Sequence, residues 1–236
     1  MVNNPHKGHR ERVKRRFETE GLDHFEAHNV LELLLFYSIP QKDTNPIAHA
    51  LINRFGSVSG VLDAPPEQLL EVPGVTPNSV GLIKLIPQLC RRYYQEKADI
   101  QLPQDKDILE RIGTRLVAAC IGRTVETAFL LCYDNAMKEL SFDIISEGTA
   151  DTVMLLCRRV VEVAIRVNAS AVIIAHNHPG GFAIPSQADV SMTHQLSKLL
   201  GGISIRLLDH IIVAGDDFVS MAQSGVFARD FFPGEE

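Results

Sequence analysis

The 236-residue sequence contains no apolar run long enough to cross a bilayer. Its longest, from Val30 to Ile39, spans ten positions and is interrupted by Glu32, against the roughly 20 apolar residues a spanning helix needs. The amino terminus also lacks the apolar core of a secretory signal. These two absences point to a cytoplasmic protein with no membrane partner. Cysteine is scarce and shows no paired spacing: Cys90, Cys120, Cys132 and Cys157 stand singly in apolar segments. That pattern argues against a disulfide framework or a cysteine-rich structural zinc cluster and reads as reduced core thiols. Positive charge is not in excess either. With 23 Lys and Arg against 29 Asp and Glu, the net charge is -6, which argues against a generally basic nucleic-acid coat. Internal repeats and low-complexity tracts are absent, and the closing Pro233-Gly-Glu-Glu236 reads as a frayed tail.

What the chain does contain is a concentrated group of metal-ligating side chains, His176-Asn-His178-Pro-Gly-Gly-Phe-Ala-Ile-Pro-Ser186-Gln-Ala-Asp189. The preceding Ser170-Ala-Val-Ile-Ile-Ala175 is a short apolar run of the kind that forms a buried strand, so both imidazoles emerge at a strand end. Residues two apart on extended backbone face the same way. A loop with Pro179, Gly180 and Gly181 then turns the chain, and a helix beginning near Ser186 can return Asp189 to the same ion. Two neutral imidazoles and one carboxylate leave the fourth position of a tetrahedral zinc open, as a catalytic site requires. Ser186-x-x-Asp189 has a second reading as a capping box at a helix start.

The spacing His-x-His, seven residues, Ser-x-x-Asp resembles the JAMM (MPN-positive) metalloproteases. Together with His176-Asn-His-Pro179, Leu208-Asp-His-Ile-Ile-Val213 and the amino-terminal half, it is similar over nearly the whole chain to the RadC family. One departure is Gly180, where RadC proteins usually carry serine. The resemblance implies a cytidine-deaminase-like α/β sandwich of the JAMM type and a zinc-dependent hydrolase acting on a peptide or isopeptide amide. Under it His176, His178 and Asp189 hold zinc, and an upstream glutamate takes the proton of the attacking water. Glu126, opening the apolar segment Glu126 to Tyr133, is the choice for that base; Glu147 is the reserve. Ser186 would donate its hydroxyl to the oxyanion, and Asp209 and His210 are read as structural.

Around this centre, strands are expected near 126–133, 139–146, 171–175 and 204–213, alternating with helices near 152–167 and 186–200. The polar, Pro103-bearing stretch from Glu96 to Asp107 reads as a linker, placing a helical domain at 1–98 and the hydrolase domain at 104–230. The helical part carries Leu69-Leu-Glu-Val-Pro-Gly74-Val-Thr76-Pro77, which resembles the turn of a helix-hairpin-helix, a module that grips DNA phosphates through glycine-rich backbone. Thr76 and Pro77 narrow that cradle, so a plain helix connector stays open beside it. The cations Lys7, Arg10, Arg12, Lys14, Arg15 and Arg16 are diluted by Glu11, Glu18 and Glu20 and form either a solvated helix face or a DNA patch. The alternative function is therefore a DNA-associated repair or recombination protein whose metal domain is structural or acts on a non-peptide bond.

Overall fold

A computed structural model describes residues 8–101, 108–148 and 153–226. Residues 1–7, 102–107, 149–152 and 227–236, and with them Lys7, the Pro103 part of the expected linker and the closing Pro233–Glu236, lie outside the described residues. The chain divides into two compact units, Met1–Cys90 and Arg91–Glu236. Among the described residues no helix is long and apolar enough to cross a membrane.

The first unit is built from α1 (His9–Glu20), α2 (Ala27–Leu35), α3 (Asn45–Phe55), α4 (Val58–Asp63), α5 (Pro66–Leu70) and the start of α6 (Pro77–Gln101). Its core gathers Leu31 and Leu35 of α2, Ile47 and Leu51 of α3, Val61, Leu69 and Ile83. Glu32, inside the apolar run, is fully buried, and its carboxylate meets His9 Nε2 at 2.9 Å and the Asn45 amide at 3.3 Å. The α5–α6 turn is tight because Gly74 has φ +91° and a Cβ there would come within 2.8 Å of Ile47 Cδ1. The expected linker begins inside α6, which runs on to Gln101. Glu96, Lys97 and Ala98 are good helix formers, and Arg92 pairs with Glu96 one turn on at 2.6 Å, so polarity there marks an exposed helix.

The second unit is a five-stranded sheet between helices: α7 (Ile108–Cys120), β1 (Thr127–Tyr133), β2 (Glu139–Glu147), α8 (Val153–Arg166), β3 (Ala171–Asn177), α9 (Gln187–Gly201), β4 (Arg206–Ala214) and β5 (Asp217–Ser220). The strand order is β2-β1-β3-β4-β5, with β3 and β4 parallel and the other neighbours antiparallel. Alternation along the strands separates two cores. Ala128, Leu130, Val172 and Ile174 face Val160 of α8 and Leu196 of α9. Phe129, Leu131, Ile173 and Ala175 face Ile112 and Leu116 of α7. This is the expected α/β sandwich. The four expected strands and two helices are present within a few residues; α7 and β5 were not anticipated.

Strand β4 changes phase midway. Leu207 packs on the α8/α9 side and Leu208 on the α7 side, yet further along it is Ile211 that faces α7 and Ile212 that faces α9. The ladder shows why: Val172 pairs with Leu207 but Ile173 pairs with Asp209, a bulge of one residue. The bulge brings His210 opposite Ile174, onto the same side as α9.

Candidate metal centre

Strand register assembles the site. Antiparallel pairing of β1 with β3 sets Ala128 opposite His176, so the beginning of β1 adjoins the end of β3. Glu126, two residues before Ala128, therefore shares the face on which His176 lies. The ladder extends one step past β3, where the His178 N–H donates to Val213 O at 2.8 Å and aims the second imidazole at the first. Helix α9 returns Asp189 in its first turn, where it shares the buried face with Thr193 and Leu196.

The four side chains converge. His176 Nε2 lies 2.9 Å from His178 Nε2 and 3.2 Å from Asp189 Oδ1, and Asp189 Oδ2 is 3.7 Å from His178 Nε2. Glu126 Oε1 stands 3.8 Å from His176 Nε2, with its side chain 52% exposed. Ligand atoms of Glu126, His176 and His178 all fall within 4.8 Å of one another. Asp189 is nearer to His176 than Glu126 is, and is largely buried.

These donors fit zinc. Zn–N and Zn–O bonds of about 2.0–2.2 Å put ligand atoms of a tetrahedral site about 3.3 Å apart, within a few tenths of the three shortest separations. The other ring nitrogens have protein partners: His178 Nδ1 meets Phe182 O at 3.1 Å at the surface, and His176 Nδ1 meets His210 Nε2 at 2.9 Å in the interior. A carbonyl only accepts, so His178 carries its proton on Nδ1 and leaves Nε2 bare for a metal. Burial opposes charge on Asp189, but hydrogen bonds from His176 and Ser186 outweigh it and hold the carboxyl well below the ordinary range. It is a carboxylate across the neutral range, as a ligand must be.

Ser186 is the N-cap of α9. Its hydroxyl accepts the Asp189 N–H at 3.2 Å and donates to Asp189 Oδ2 at 2.6 Å, and its own N–H reaches the same oxygen at 2.7 Å. The two readings of Ser-x-x-Asp thus coincide: one capping box both starts the helix and orients the carboxylate, leaving Oδ1 toward the histidines. Glu147 is not in the group. It pairs with Arg123 at 2.7 Å, and the guanidinium lies over Phe129.

Three contributors were not visible from the motif. Asn177, between the histidines, accepts the Thr127 N–H at 2.7 Å and donates to Val125 O at 3.3 Å, gripping the backbone on both sides of Glu126. His210 contacts His176 directly; burial, then the neighbouring His176, push its pKa down to about 3, so it is neutral. Thr193 joins His210 to α9 at 2.6 Å. Asp209, by contrast, has the structural part expected: its carboxylate accepts from His210 N, Ala222 N and the Ser220 hydroxyl, tying the bulge to the end of β5. Beside the centre opens a cavity of about 260 Å³ whose wall is mostly apolar, from Ala128, Leu156, Ile174 and Met192.

Comparison with known proteins shows the family. Residues 107–226 match the model of the RadC-like JAB domain. A UPF0758 protein of Fusobacterium nucleatum subsp. nucleatum is 31% identical over 231 residues, covering 96% of this chain and all of the relative. A UPF0758 protein of Idiomarina loihiensis is 32% identical over 218 residues, covering 92% of this chain and 96% of the relative. The matched residues take in the whole sheet, the four convergent side chains and the outer partners His210 and Thr193, and the full-length relatives extend the likeness through the helical unit; the chain belongs to the RadC-like JAB-domain family.

Proposed function

We propose that this protein is a zinc-dependent hydrolase that cleaves a peptide or isopeptide amide. The observation that carries the reading is the convergence of His176 Nε2, His178 Nε2 and Asp189 Oδ1, with the Glu126 carboxylate at the solvent side of the same group. His176, His178 and Asp189 are the ligands: two are largely buried, and each is oriented by a further hydrogen bond. Zinc, when bound, supplies a Lewis acid that lowers the pKa of water in the open position toward neutrality. Glu126, half exposed and 3.8 Å from His176 Nε2, accepts the water proton and passes it to the leaving amine nitrogen. Ser186 turns its hydroxyl from Asp189 to the oxyanion that develops on the substrate carbonyl, a contribution on the order of 10² in rate. The apolar cavity beside the centre receives an apolar group flanking the scissile bond.

The alternative role in DNA association finds two of its candidate cations, Arg10 and Arg16, engaged within the helical unit, as is Lys84. Arg10 donates to Phe36 O at 3.3 Å and Ile39 O at 2.6 Å, Arg16 to Glu20 and His24 O, and Lys84, on the helix after the hairpin turn, to Leu62 O and Ala64 O. Those contacts favour a packing role for the helical unit, which on this reading positions the hydrolase or recruits its substrate.

Elemental analysis of the purified protein tests the metal. About one zinc per chain is expected, with strong loss in both His176→Ala and Asp189→Asn. Glu126→Gln is expected to keep its zinc and lose hydrolysis of a peptide library by on the order of 10² or more. A wild-type chain that takes up no zinc when it is supplied, or a Glu126→Gln chain as active as the wild type, overturns the reading.

A further inference from the structure

The protein-side partner of His176 is itself part of a chain of hydrogen bonds, and the directions along that chain can be worked out. Thr193 Oγ1 lies 2.6 Å from the Asp189 carbonyl and 2.6 Å from His210 Nδ1. The carbonyl can only accept, so the single hydroxyl proton goes to it; the other nearby acceptor, the Met221 sulfur, is weaker and at 3.7 Å. Thr193 is then left an acceptor toward His210, which must carry its proton on Nδ1. A neutral imidazole with a proton on Nδ1 has a bare Nε2, and that atom lies 2.9 Å from His176 Nδ1. His176 must therefore be the donor there and hold its own proton on Nδ1. Its Nε2, 2.9 Å from His178 Nε2 and 3.2 Å from Asp189 Oδ1, is then the ring nitrogen that faces the centre and is left for a metal.

We infer that Thr193 and His210 are positioning residues that lock His176 in the one tautomer able to ligate a metal. The device is closed on itself, because the carbonyl that sets the first direction belongs to Asp189, another residue of the centre. It is also dry: Thr193 and His210 are fully buried, so water does not compete for any of these protons. The β4 bulge is what makes it possible. Had β4 kept the alternation that puts Leu207 on the α9 side and Leu208 on the α7 side, position 210 would face α7 rather than Thr193; the unopposed Leu208 shifts the phase. The two outer residues come from α9 and β4, so the centre is tied to three separate elements rather than to the histidine loop alone.

The inference rests on the proposed metal site for its purpose but not for its test. In metal-free protein labelled with ¹⁵N-histidine, long-range correlation spectra should show His210 and His176 each carrying a proton on Nδ1. A His176 that carries no proton on Nδ1 overturns the inference. Zinc affinity by chelator competition supplies a second readout. Thr193→Val keeps the shape and removes the hydroxyl, and is expected to weaken zinc binding about 10-fold, the low end of the usual effect of losing an outer partner of a metal-bound histidine, because it acts on His176 through His210. Thr193→Ser restores the hydroxyl and should stay within about 3-fold of wild type. A folded Thr193→Val chain with wild-type zinc affinity sinks the idea. A wild-type chain that binds no zinc sinks the proposed function instead, and the metal-free spectra still decide the tautomer.

Discussion

Asn177 holds the backbone on both sides of Glu126. Its Oδ1 is the partner of the buried Thr127 N–H at 2.7 Å, and its amide holds Val125 O. In Asn177→Ala that N–H loses its partner, at a cost of about 1–3 kcal/mol in urea unfolding, while zinc content stays at the wild-type level because no ligand is touched. Loss of zinc in this variant would mean that the loop before β1 shapes the ligands themselves. The cysteines give a second residue-scale expectation. Burial pushes the Cys120 thiol up to about 12 and also raises Cys132 and Cys157, so at neutral pH their reactive thiolate forms are scarce. Cys90 is exposed. Iodoacetamide applied to native protein near pH 7.5 should mark Cys90 well before the others, and peptide mass spectrometry reads the order. At this scale the motif was legible because His176, His178, Ser186 and Asp189 are close in sequence and of types that seldom cluster without chemistry. Thr193, His210 and Asn177 were not, since a threonine in a helix and a histidine in a strand acquire their roles only through register and a bulge.

The helices respond to glycine in opposite ways, and the difference separates intrinsic propensity from packing. In α7, a Cβ on Gly113 would stand 2.2 Å from the Phe218 ring of β5, so the helix lies against that aromatic only because no side chain intervenes. In α6, a Cβ on Gly81 meets nothing within 4 Å. Propensity alone favours alanine at both by about 1 kcal/mol. Gly81→Ala is expected to stabilise by about 0.5–1 kcal/mol, whereas Gly113→Ala should destabilise by about 1–3 kcal/mol as Phe218 is forced aside. Calorimetric melting of the two variants checks the sign, and a stabilised Gly113→Ala would show that α7 and β5 pack more loosely than described. These two elements are also the ones that hydropathy did not reveal. Strand β5 is only four residues long. Helix α7 mixes its buried positions Ile112, Gly113, Leu116 and Ala119 with polar neighbours directly after a polar stretch. Strands β1 and β3 were plain because they are buried along their whole length and so read as unbroken apolar runs. The C-terminal end of α6 was mistaken for linker because an exposed helix and a linker share the same polar composition.

For the whole molecule, the decisive feature is that the helical unit and the sheet unit have separate cores. Leu31, Leu51, Leu69 and their neighbours form one, and the two faces of the sheet form the others. All four convergent residues, and both positioning residues, belong to the second unit. A ligand that binds only the native state stabilises what it holds together by RT ln(1 + [L]/Kd), so zinc at about 100 times its Kd adds about 2.7 kcal/mol to the sheet unit and nothing directly to the helical one. Scanning calorimetry should therefore resolve two transitions in metal-free protein, and added zinc should raise only one of them, by several degrees. His176→Ala should abolish that rise while leaving the other transition where it was. If zinc instead moves a single transition, the two cores melt as one cooperative body and the helical unit shares in the stability of the metal centre. If zinc moves neither transition in the wild type, the convergent side chains hold the chain together by their hydrogen bonds alone.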